Sequence, residues 1–277
     1  MKEFYRKEEI EELLGVEEYD IPAHIEQIKI DVGLAGEAPN SAMWISHTDN
    51  RYVFGIEPLK HHWNMLTNFD ESGTTREHPR SFPILQLHDK TIKLRRNTWC
   101  SIEGRFTGLE CAIDNVDSIT EQVFYEMDRH LGGSGSSSLL APSDEHPLKL
   151  NDTVKVKTIS LEMLLNKIPW SRFPYIEHIK TDCEGKDFDV VKSIGKYLQK
   201  VVYITSEMTN NTHHVIGSNN QLDFINFMAD NGFKAINLSE PDADGMVSFI
   251  AGDIQFVNLR FLDIISKHNL NNDTLGV

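Results

Sequence analysis

Cysteine is scarce in this chain, and the few cysteines are far apart. Only Cys100, Cys111 and Cys183 occur among 277 residues, and no C-x-x-C pair is present. An odd number of widely spaced cysteines does not imply a disulfide framework, and it disfavours a zinc site. Reduced thiols are typical of proteins inside cells, so we expect a cytoplasmic location.

Long apolar runs are also missing. No stretch approaches the ~20 residues that a transmembrane helix requires. The chain begins with the charged residues MKEFYRKEEIEELL rather than with the apolar segment of a signal peptide. We therefore expect a soluble protein without a membrane partner.

Positive charge is in short supply. There are 27 Lys and Arg residues against 42 Asp and Glu residues, which gives a formal net charge of -15. This charge should repel phosphate backbones, so we expect no nucleic-acid partner. The only basic cluster, residues 90–96, contains the alternating apolar residues Ile92 and Leu94, a pattern typical of a strand with one solvated face.

A strand, helix and strand pattern over residues 28–59 organises the rest of the chain. Apolar strand candidates at 28–32 and 52–56 each end at an acidic residue or a glycine, and a helical segment at 40–46 lies between them. The crossover rule places the two strands side by side, with their carboxyl ends at the edge where open α/β sheets bind ligands.

Strands continue to alternate with helices further along. Helices are predicted from Thr158 onwards and at 188–198 and 222–231, and strands at 109–113, 123–127, 154–159, 175–181, 201–205, 233–238, 247–250 and 254–257. This order predicts one α/β domain with a mostly parallel sheet that is covered on both faces. We place the domain at residues 25–277, after an N-terminal helical extension at 1–24. An insertion around 70–109 contains a small hairpin of strands 84–87 and 91–94.

The ends of the first two strands carry the first candidate binding residues. Gly33 and Gly36 follow Asp31 and allow the backbone to turn sharply, so that a cofactor can approach the main chain. Glu57 can accept two hydrogen bonds from the vicinal hydroxyls of a ribose, each worth about 1.5–3 kcal/mol. Pro58 occupies a first helical position, and the histidines that follow at 61 and 62 are expected on a solvated helix flank.

This pattern leaves the ligand open. A dinucleotide site would contain G-x-G-x-x-G, whereas only Gly33 and Gly36 are present, which disfavours NAD. An Asp-x-Gly strand end followed by Glu at the next strand end is the pattern of the Rossmann variant that binds S-adenosylmethionine. The alternative is an ordinary turn glycine beside a solvated acid.

Several short motifs together resemble those of FkbM-like methyltransferases. The resemblance spans roughly residues 25–258, and it departs from the family at Leu34-Ala35-Gly36, where the family more often has Ala-Asn before its second glycine. The motifs are, in chain order, Asp31-Val32-Gly33, Gly55-Ile56-Glu57-Pro58, Ser136-Ser137-Ser138-Leu139, Thr158-Ile159-Ser160-Leu161, Ile179-Lys180-Thr181-Asp182-Cys183-Glu184-Gly185 and Ile254-Gln255-Phe256-Val257-Asn258.

The resemblance implies a class I, Rossmann-like three-layer sandwich of seven strands, the last antiparallel, with S-adenosylmethionine across the carboxyl edge. Asp31 and Gly33 would line the methionine side of the cofactor, and Glu57 would hold the ribose. Ala112 would lie near the adenine. Ser137 and Ser138 would close over the cofactor, although the glycine-serine segment at 132–138 can equally be a flexible linker between domains.

The fourth strand carries the candidate catalytic residues. The resemblance places Asp182 and Glu184 at its end, between cofactor and acceptor, and a carboxylate near a hydroxyl acceptor accelerates its reaction about 10²–10⁴-fold. We predict Glu184 as the acid or base, and the alternative is that it braces the turn. Lys180 is expected to pair with a nearby acid, because an unpaired buried ammonium is costly.

A divalent cation is a second interpretation of the acidic strand ends. Asp182, Glu184 and Glu207 could bind Mg²⁺, with Asn210 or Asn211 completing the oxygen ligands, although the resemblance does not require a metal. His213 and His214 could line the acceptor pocket, or could simply be exposed on a loop.

Three functions remain open at this point. The first is O-methylation of a hydroxyl on a sugar, a glycan or another small molecule. The others are a non-catalytic module that binds an adenosyl ligand and, as a weaker alternative, an NAD-dependent enzyme. The acceptor is not encoded in loop composition.

Overall fold

The fold is described by a computed structural model over residues 10–36, 38–67, 84–87, 90–93, 104–128, 135–207, 215–236 and 253–268. The strands, in chain order, are β1 Gln27–Val32, β2 Arg51–Ile56, β3 Ile84–Leu87, β4 Lys90–Lys93, β5 Phe106–Leu109, β6 Ala112–Ile113, β7 Thr120–Met127, β8 Leu150–Ile159, β9 Ile176–Thr181, β10 Val201–Glu207, β11 Phe233–Ala235 and β12 Asp253–Asn258. The α-helices are α1 Ile10–Gly15, α2 Pro39–His47, α3 Lys60–Thr67, α4 Leu161–Leu165, α5 Asp187–Lys192, α6 Gln221–Asp230 and α7 Leu262–His268. Short 3₁₀ helices occur at Gly195–Lys200 and Leu259–Phe261.

A mostly parallel seven-stranded sheet forms the centre of the α/β fold in the described part of the chain. Its strand order is β11-β12-β10-β9-β1-β2-β5, and β12 runs antiparallel to both of its neighbours. In the parallel register Asp31 of β1 lies opposite Gly55 of β2 and Lys180 of β9. This arrangement confirms the predicted α/β class, the mostly parallel sheet and its antiparallel last strand, and it is compatible with a Rossmann-like fold.

Helices pack against both faces of the sheet. Ile28, Ile30 and Val32 of β1 are buried in the main core, which α1, α4, α5 and α6 complete. On the other face, the Trp44 ring of α2 lies 5.1 Å from the ring of His178. Ile265 of α7 packs in a second cluster beside β10 and β12.

A separate three-stranded sheet lies beside the main one, and the sequence did not predict it. Its order is β6-β8-β7, with β7 and β8 antiparallel. The predicted strands at 123–127 and 154–159 belong to this sheet. The predicted strand at 109–113 is wrong as a single element, because β5 ends in the main sheet at Leu109 and β6 begins in the second sheet at Ala112.

Two of the predicted helix starts are wrong. Thr158 and Ile159 end β8 rather than open a helix, and Ser160 caps α4 through its hydroxyl, which accepts from the Met163 N–H. Pro58 is not at a first helical position, since α3 begins at Lys60. The predicted hairpin is confirmed as the antiparallel pair β3 and β4. The predicted strand at 247–250 lies outside the described residues.

Within the part of the chain that the structure describes, every helix is too short or too polar to span a bilayer. The division into an extension at 1–24 and a domain at 25–277 stays a prediction, and Ile10 and Leu13 of α1 are buried in the same core as the sheet.

A buried ion cluster joins the first, second and fourth parallel strands on the face under α2. Glu177 of β9 lies 3.3 Å from the Lys29 ammonium of β1 and 3.5 Å from the Arg51 guanidinium of β2. All three side chains are at most 2% exposed. Removing one partner of such a cluster leaves uncompensated buried charge, so the cluster links the strands that position the site.

We expect Glu177→Ala to lower the free energy of unfolding by about 3–5 kcal/mol, because two cations stay buried without their carboxylate. Urea denaturation of the purified protein measures the change. The matched control is Glu121→Ala, which removes an exposed partner of Lys155 and should change stability by about 0.5 kcal/mol or less. Equal losses in the two variants would contradict the structural role of the cluster.

Candidate functional site

A cleft of about 590 Å³, counted to its solvent opening, lies at the carboxyl ends of β1 and β2. Of the predicted site residues, six line it, and apolar side chains supply most of its remaining wall. The six predicted residues that line this cleft are Gly33, Glu57, Pro58, Ala112, Ser137 and Asp182. The cleft therefore lies at the edge of the sheet where the parallel strand order predicts a ligand site.

A second, more polar cleft adjoins the first. Gly33, Ala35 and Asp182 line both clefts, and Asp31, Lys180 and Asp253 line only the second, whose volume is about 530 Å³. Together the two clefts make a groove with an apolar end beside the three-stranded sheet and a charged end beside α2.

Gly33 is required where the two clefts meet. Its φ is +84°, and a Cβ at this position would lie 2.0 Å from the carbonyl oxygen of Asp182. The Gly33 N–H donates to the carbonyl of Ile56 at 2.9 Å, and the Asp182 N–H donates to the carbonyl of Val32 at 3.0 Å. These contacts draw the tips of β1, β2 and β9 together, so only a glycine fits between them.

Asp31 is buried at the first turn of α2. Its Oδ2 accepts from the Ser41 N–H at 2.9 Å and from the Ser41 hydroxyl at 2.6 Å. Its Oδ1 has no hydrogen-bond partner among the described residues, and the residue is 2% exposed. Burial raises the pKa of Asp31, while the charge of Lys180 opposes this. Asp31 therefore adds an acid to the wall of the charged end of the groove.

Glu57 is held in place by backbone donors. Its Oε2 accepts from the Ala35 N–H at 2.9 Å, and its Oε1 accepts from the Leu59 N–H at 2.8 Å. Nδ1 of His62 lies 3.1 Å from the same Oε1. Each carboxylate oxygen has two lone pairs, so Glu57 keeps acceptor capacity toward the cleft that it lines.

The apolar end of the first cleft is formed by the three-stranded sheet and the segment that follows β7. Ala112 lies in β6 and Phe124 in β7, and Leu139 closes the wall from the segment after β7. Gly135 and Ser137 line the same wall. The described residues 135–138 of the glycine-serine segment therefore form a loop beside the cleft. This position favours a pocket loop over a flexible linker between domains.

Asp182, Glu184 and Glu207 form an acidic cluster at the tips of β9 and β10. One carboxylate oxygen from each lies within 4.8 Å of the others, a spacing that could also hold a divalent cation. The Lys180 ammonium lies 2.6 Å from Oδ2 of Asp182, which confirms that this buried lysine is paired. Although burial opposes it, the Asp182 and Asp31 charges raise the pKa of Lys180.

The acidic cluster retains protons at neutral pH. Burial, and then the charge of Asp182, raise the pKa of Glu184 to about 7 and that of Glu207 to about 10. Burial also raises the pKa of Asp187, at the start of α5, to about 7. Glu207 hydrogen-bonds Asp182, so Glu184 is the member of the cluster that can exchange a proton near pH 7.

Three predicted residues lie outside the cleft walls. Ser138 is buried, and its hydroxyl donates to the Glu184 carbonyl at 3.0 Å rather than facing the clefts. Gly36 follows the left-handed residue Ala35, whose φ is 50°, and lines neither cleft. Glu184 lies beside Asp182 in the acidic cluster and lines neither cleft. Asn210, Asn211, His213 and His214 lie outside the described residues.

Sequence reasoning missed several residues of the groove, among them Lys186, Asp253 and Ala35, and it misplaced His62. His62 was predicted on a solvated flank but is 3% exposed and lies against Glu57, because α3 turns it inward.

Lys186, which pairs with Asp114 at 2.8 Å, also lines the first cleft. Asp253 starts β12, and its position beside Lys180 in the second cleft depends on the antiparallel pairing with β10. Ala35 joins the two clefts. An acid at the start of a strand carries no local signal for such a position.

Comparisons with known proteins give no assignment. No protein-family model matches the chain, and no curated protein matches it. The resemblance to FkbM-like methyltransferases remains a hypothesis that rests on its short motifs. The chemistry of the groove is therefore the basis for a functional conclusion.

We expect Glu184→Gln to flatten the pH dependence of stability. The pKa of Glu184 is raised on folding from 4.5 to about 7, so its contribution is complete below pH 4.5 and is lost as the pH rises through 7. Glutamine cannot ionise, so the variant should gain about 1–3 kcal/mol over the parent protein between pH 5 and pH 8.

Urea denaturation at pH 5 and pH 8 measures this difference. Glu145→Gln, at an exposed carboxylate, is the matched control and should follow the parent protein. A parent protein and a Glu184→Gln variant that lose stability in parallel would show that the cluster does not retain its proton.

Proposed function

We propose that this protein is an S-adenosylmethionine-dependent methyltransferase that methylates a hydroxyl group of a sugar, a glycan or another small molecule. In this proposal the sheet belongs to the class I methyltransferase architecture, and the groove holds the cofactor. The observation that carries the proposal is the buried carboxylate of Asp31 at the first turn of α2.

The position of Asp31 argues against a cofactor that carries phosphate. A helix N-terminus next to a βα turn is the usual site for a pyrophosphate, because free N–H groups and the helix dipole attract anions. Here the Ser41 N–H is already bound to Asp31, and Pro39 has no N–H to offer. A pyrophosphate would meet a carboxylate in this position, which disfavours NAD.

The same charges favour a cofactor with cationic groups. S-adenosylmethionine carries a sulfonium and an amino group, and the acids Asp31, Asp182 and Asp253 place negative charge along the second cleft. The cradle at Gly33, which a Cβ would fill, allows close approach of a ligand to the backbone. The residues therefore fit this cofactor.

In this assignment Glu57 would hold the ribose hydroxyls, since its carboxylate lines the first cleft and is fixed by Ala35 and Leu59. Ala112 and Phe124 would face the adenine from the apolar end. Pro58 and Ser137 would complete the wall, and Asp31 and Gly33 would contact the methionine end.

S-adenosylmethionine would supply an electrophilic methyl group when bound. The chain would hold the acceptor hydroxyl in line with it and exclude water from the groove. As the oxygen–carbon bond forms and the bond from the methyl carbon to the cofactor sulfur breaks, Glu184 would take the proton of the acceptor hydroxyl, and S-adenosylhomocysteine would be the leaving group. Asp182, whose charge is balanced by Lys180, would orient the acceptor beside Glu184.

The alternative function is a non-catalytic module that binds an adenosyl ligand. It shares the groove but does not need a proton acceptor beside it. The acidic cluster, in which Glu184 titrates near pH 7, favours the enzyme, because a base poised near the working pH is what a hydroxyl acceptor requires.

Calorimetric titration with S-adenosylmethionine, S-adenosylhomocysteine and NAD tests the cofactor class. We expect the two adenosyl ligands to bind and NAD to bind at least tenfold more weakly, because its pyrophosphate faces Asp31. Tighter binding of NAD would overturn the proposal.

Turnover with a panel of sugar and polyketide hydroxyls then separates enzyme from binder. We expect formation of S-adenosylhomocysteine with at least one member of the panel, unchanged by EDTA. Turnover that requires added Mg²⁺ would instead identify the acidic cluster as its binding site. Ligand binding without turnover on any acceptor would support the non-catalytic module.

We expect Glu57→Gln to weaken binding of S-adenosylmethionine about tenfold or more, equivalent to roughly 1.4 kcal/mol. Glutamine replaces one acceptor oxygen with a donor and cannot satisfy both backbone N–H groups and a ribose. Calorimetry measures the affinity, and thermal unfolding shows that the variant is folded. Glu110→Gln, at an exposed carboxylate after β5, is the matched control, and equal affinities for all three proteins would refute the ribose assignment.

A further inference from the structure

We propose that Ser138 is a positioning residue that holds Glu184 in the backbone conformation that places its carboxylate against Asp182 and Glu207. The inference rests on the proposed function, in which Glu184 takes the proton of the acceptor. It concerns the serine segment Ser136, Ser137 and Ser138, in which the first and third hydroxyls contact Glu184 and the second contacts Met127.

Glu184 occupies a conformation that needs support. Its φ is 47°, in the left-handed region that non-glycine residues rarely adopt. Gly185 follows with a φ of 95°, so the chain leaves β9 through two consecutive left-handed residues. A residue in this region persists when its surroundings fix it, and such residues concentrate at functional sites.

Ser138 supplies that support from one side. Its hydroxyl donates to the Glu184 carbonyl at 3.0 Å and accepts from the Leu140 N–H at 3.0 Å. The residue is 2% exposed, so water does not compete for the bond. Both hydrogen-bonding functions of the hydroxyl are therefore used within the protein.

Ser138 is itself anchored to the second sheet. Its N–H donates to the Tyr125 carbonyl at 3.1 Å, and its carbonyl accepts from the Tyr125 N–H at 2.8 Å. Tyr125 lies two residues before the end of β7, which pairs along its length with β8. The bond to Glu184 therefore ties the turn after β9 to a strand of the three-stranded sheet.

The two preceding serines, Ser136 and Ser137, make the other side-chain contacts of the segment. Burial and the neighbouring acids raise the pKa of Glu184, and the hydrogen bond of Ser136 to its carboxylate opposes this rise. The Ser137 hydroxyl accepts from the Met127 N–H at 3.0 Å, and Ser137 lines the first cleft. One short segment thus contacts the cofactor cleft with Ser137 and fixes Glu184 with the serines on either side.

The turn is fixed on its other side as well. The Gly185 carbonyl accepts from the backbone N–H and from the side-chain amide of Asn219, both at 3.3 Å. A Cβ at Gly185 would lie 2.9 Å from Cγ2 of Val215. The turn is therefore enclosed between the serine segment and the loop before α6, and Ser138 is the contact on the Glu184 carbonyl.

The test compares Ser138→Ala with Ser138→Thr, which restores the hydroxyl. The first measurement is the backbone carbon chemical shifts of Glu184, which report a left-handed conformation and need no acceptor. We expect the left-handed signature in the parent protein, its loss in Ser138→Ala and its return in Ser138→Thr. Ser143→Ala, which removes a hydroxyl that accepts from the Glu145 N–H, is the matched control and should keep the signature.

The second measurement separates positioning from binding. We expect Ser138→Ala to bind S-adenosylmethionine within twofold of the parent protein and to lose about tenfold to a hundredfold in kcat, because a misplaced catalytic group slows the reaction without weakening the ligand. If Ser138→Ala does not fold, Ser138→Cys keeps the size of the side chain with only a weak donor and carries the same expectations.

The outcomes distinguish the two proposals. A left-handed Glu184 in both Ser138→Ala and Ser138→Cys would overturn the role of Ser138, whatever the ligand. Failure of the parent protein to bind S-adenosylmethionine would overturn the proposed function, while the chemical shifts would still decide whether Ser138 fixes Glu184. Loss of the signature in Ser143→Ala would show a general disturbance and overturn the inference.

Discussion

The tips of β1 and β9 approach each other so closely that no side chain fits between them. A Cβ on Gly33 would lie 2.0 Å from the Asp182 carbonyl oxygen, and the Asp182 N–H donates to the Val32 carbonyl. This contact fixes the spacing of Asp31 and Asp182, and the bond from Gly33 to Ile56 brings Glu57 to the same place. The groove and its charges depend on this approach of two backbones.

Charge then decides what the groove can accept. Asp31 occupies the end of α2 where a phosphate would otherwise bind. Asp182 is balanced by Lys180, and the other acids of the cluster relieve their repulsion by retaining protons. A buried group of like charges shifts its proton affinities in this way when cations are too few. The result is a cation-attracting groove beside a carboxylate that titrates near pH 7.

The second sheet gives the groove its other wall. β6 and β7 contribute Ala112 and Phe124, and the segment after β7 returns along Tyr125 before it contacts the Glu184 turn. The three-stranded sheet thus reaches both the apolar end of the groove and the acidic cluster. On the face of the main sheet that α2 covers, the buried side chains of Lys29, Arg51 and Glu177 form ion pairs that link β1, β2 and β9.

The sequence by itself determined much of the local structure: apolar runs marked most of the strands, and the crossover rule placed Asp31 and Glu57 at one edge of the sheet. It also indicated the pairing of Lys180, because a buried ammonium requires a nearby acid. Only the tertiary structure decided that β7 and β8 form a separate sheet, that His62 turns inward and that Ser138 supports Glu184, 46 positions further along the chain. The physical reason is that apolar periodicity reports which face of a segment is buried, whereas the partner that covers that face is selected by packing between distant segments.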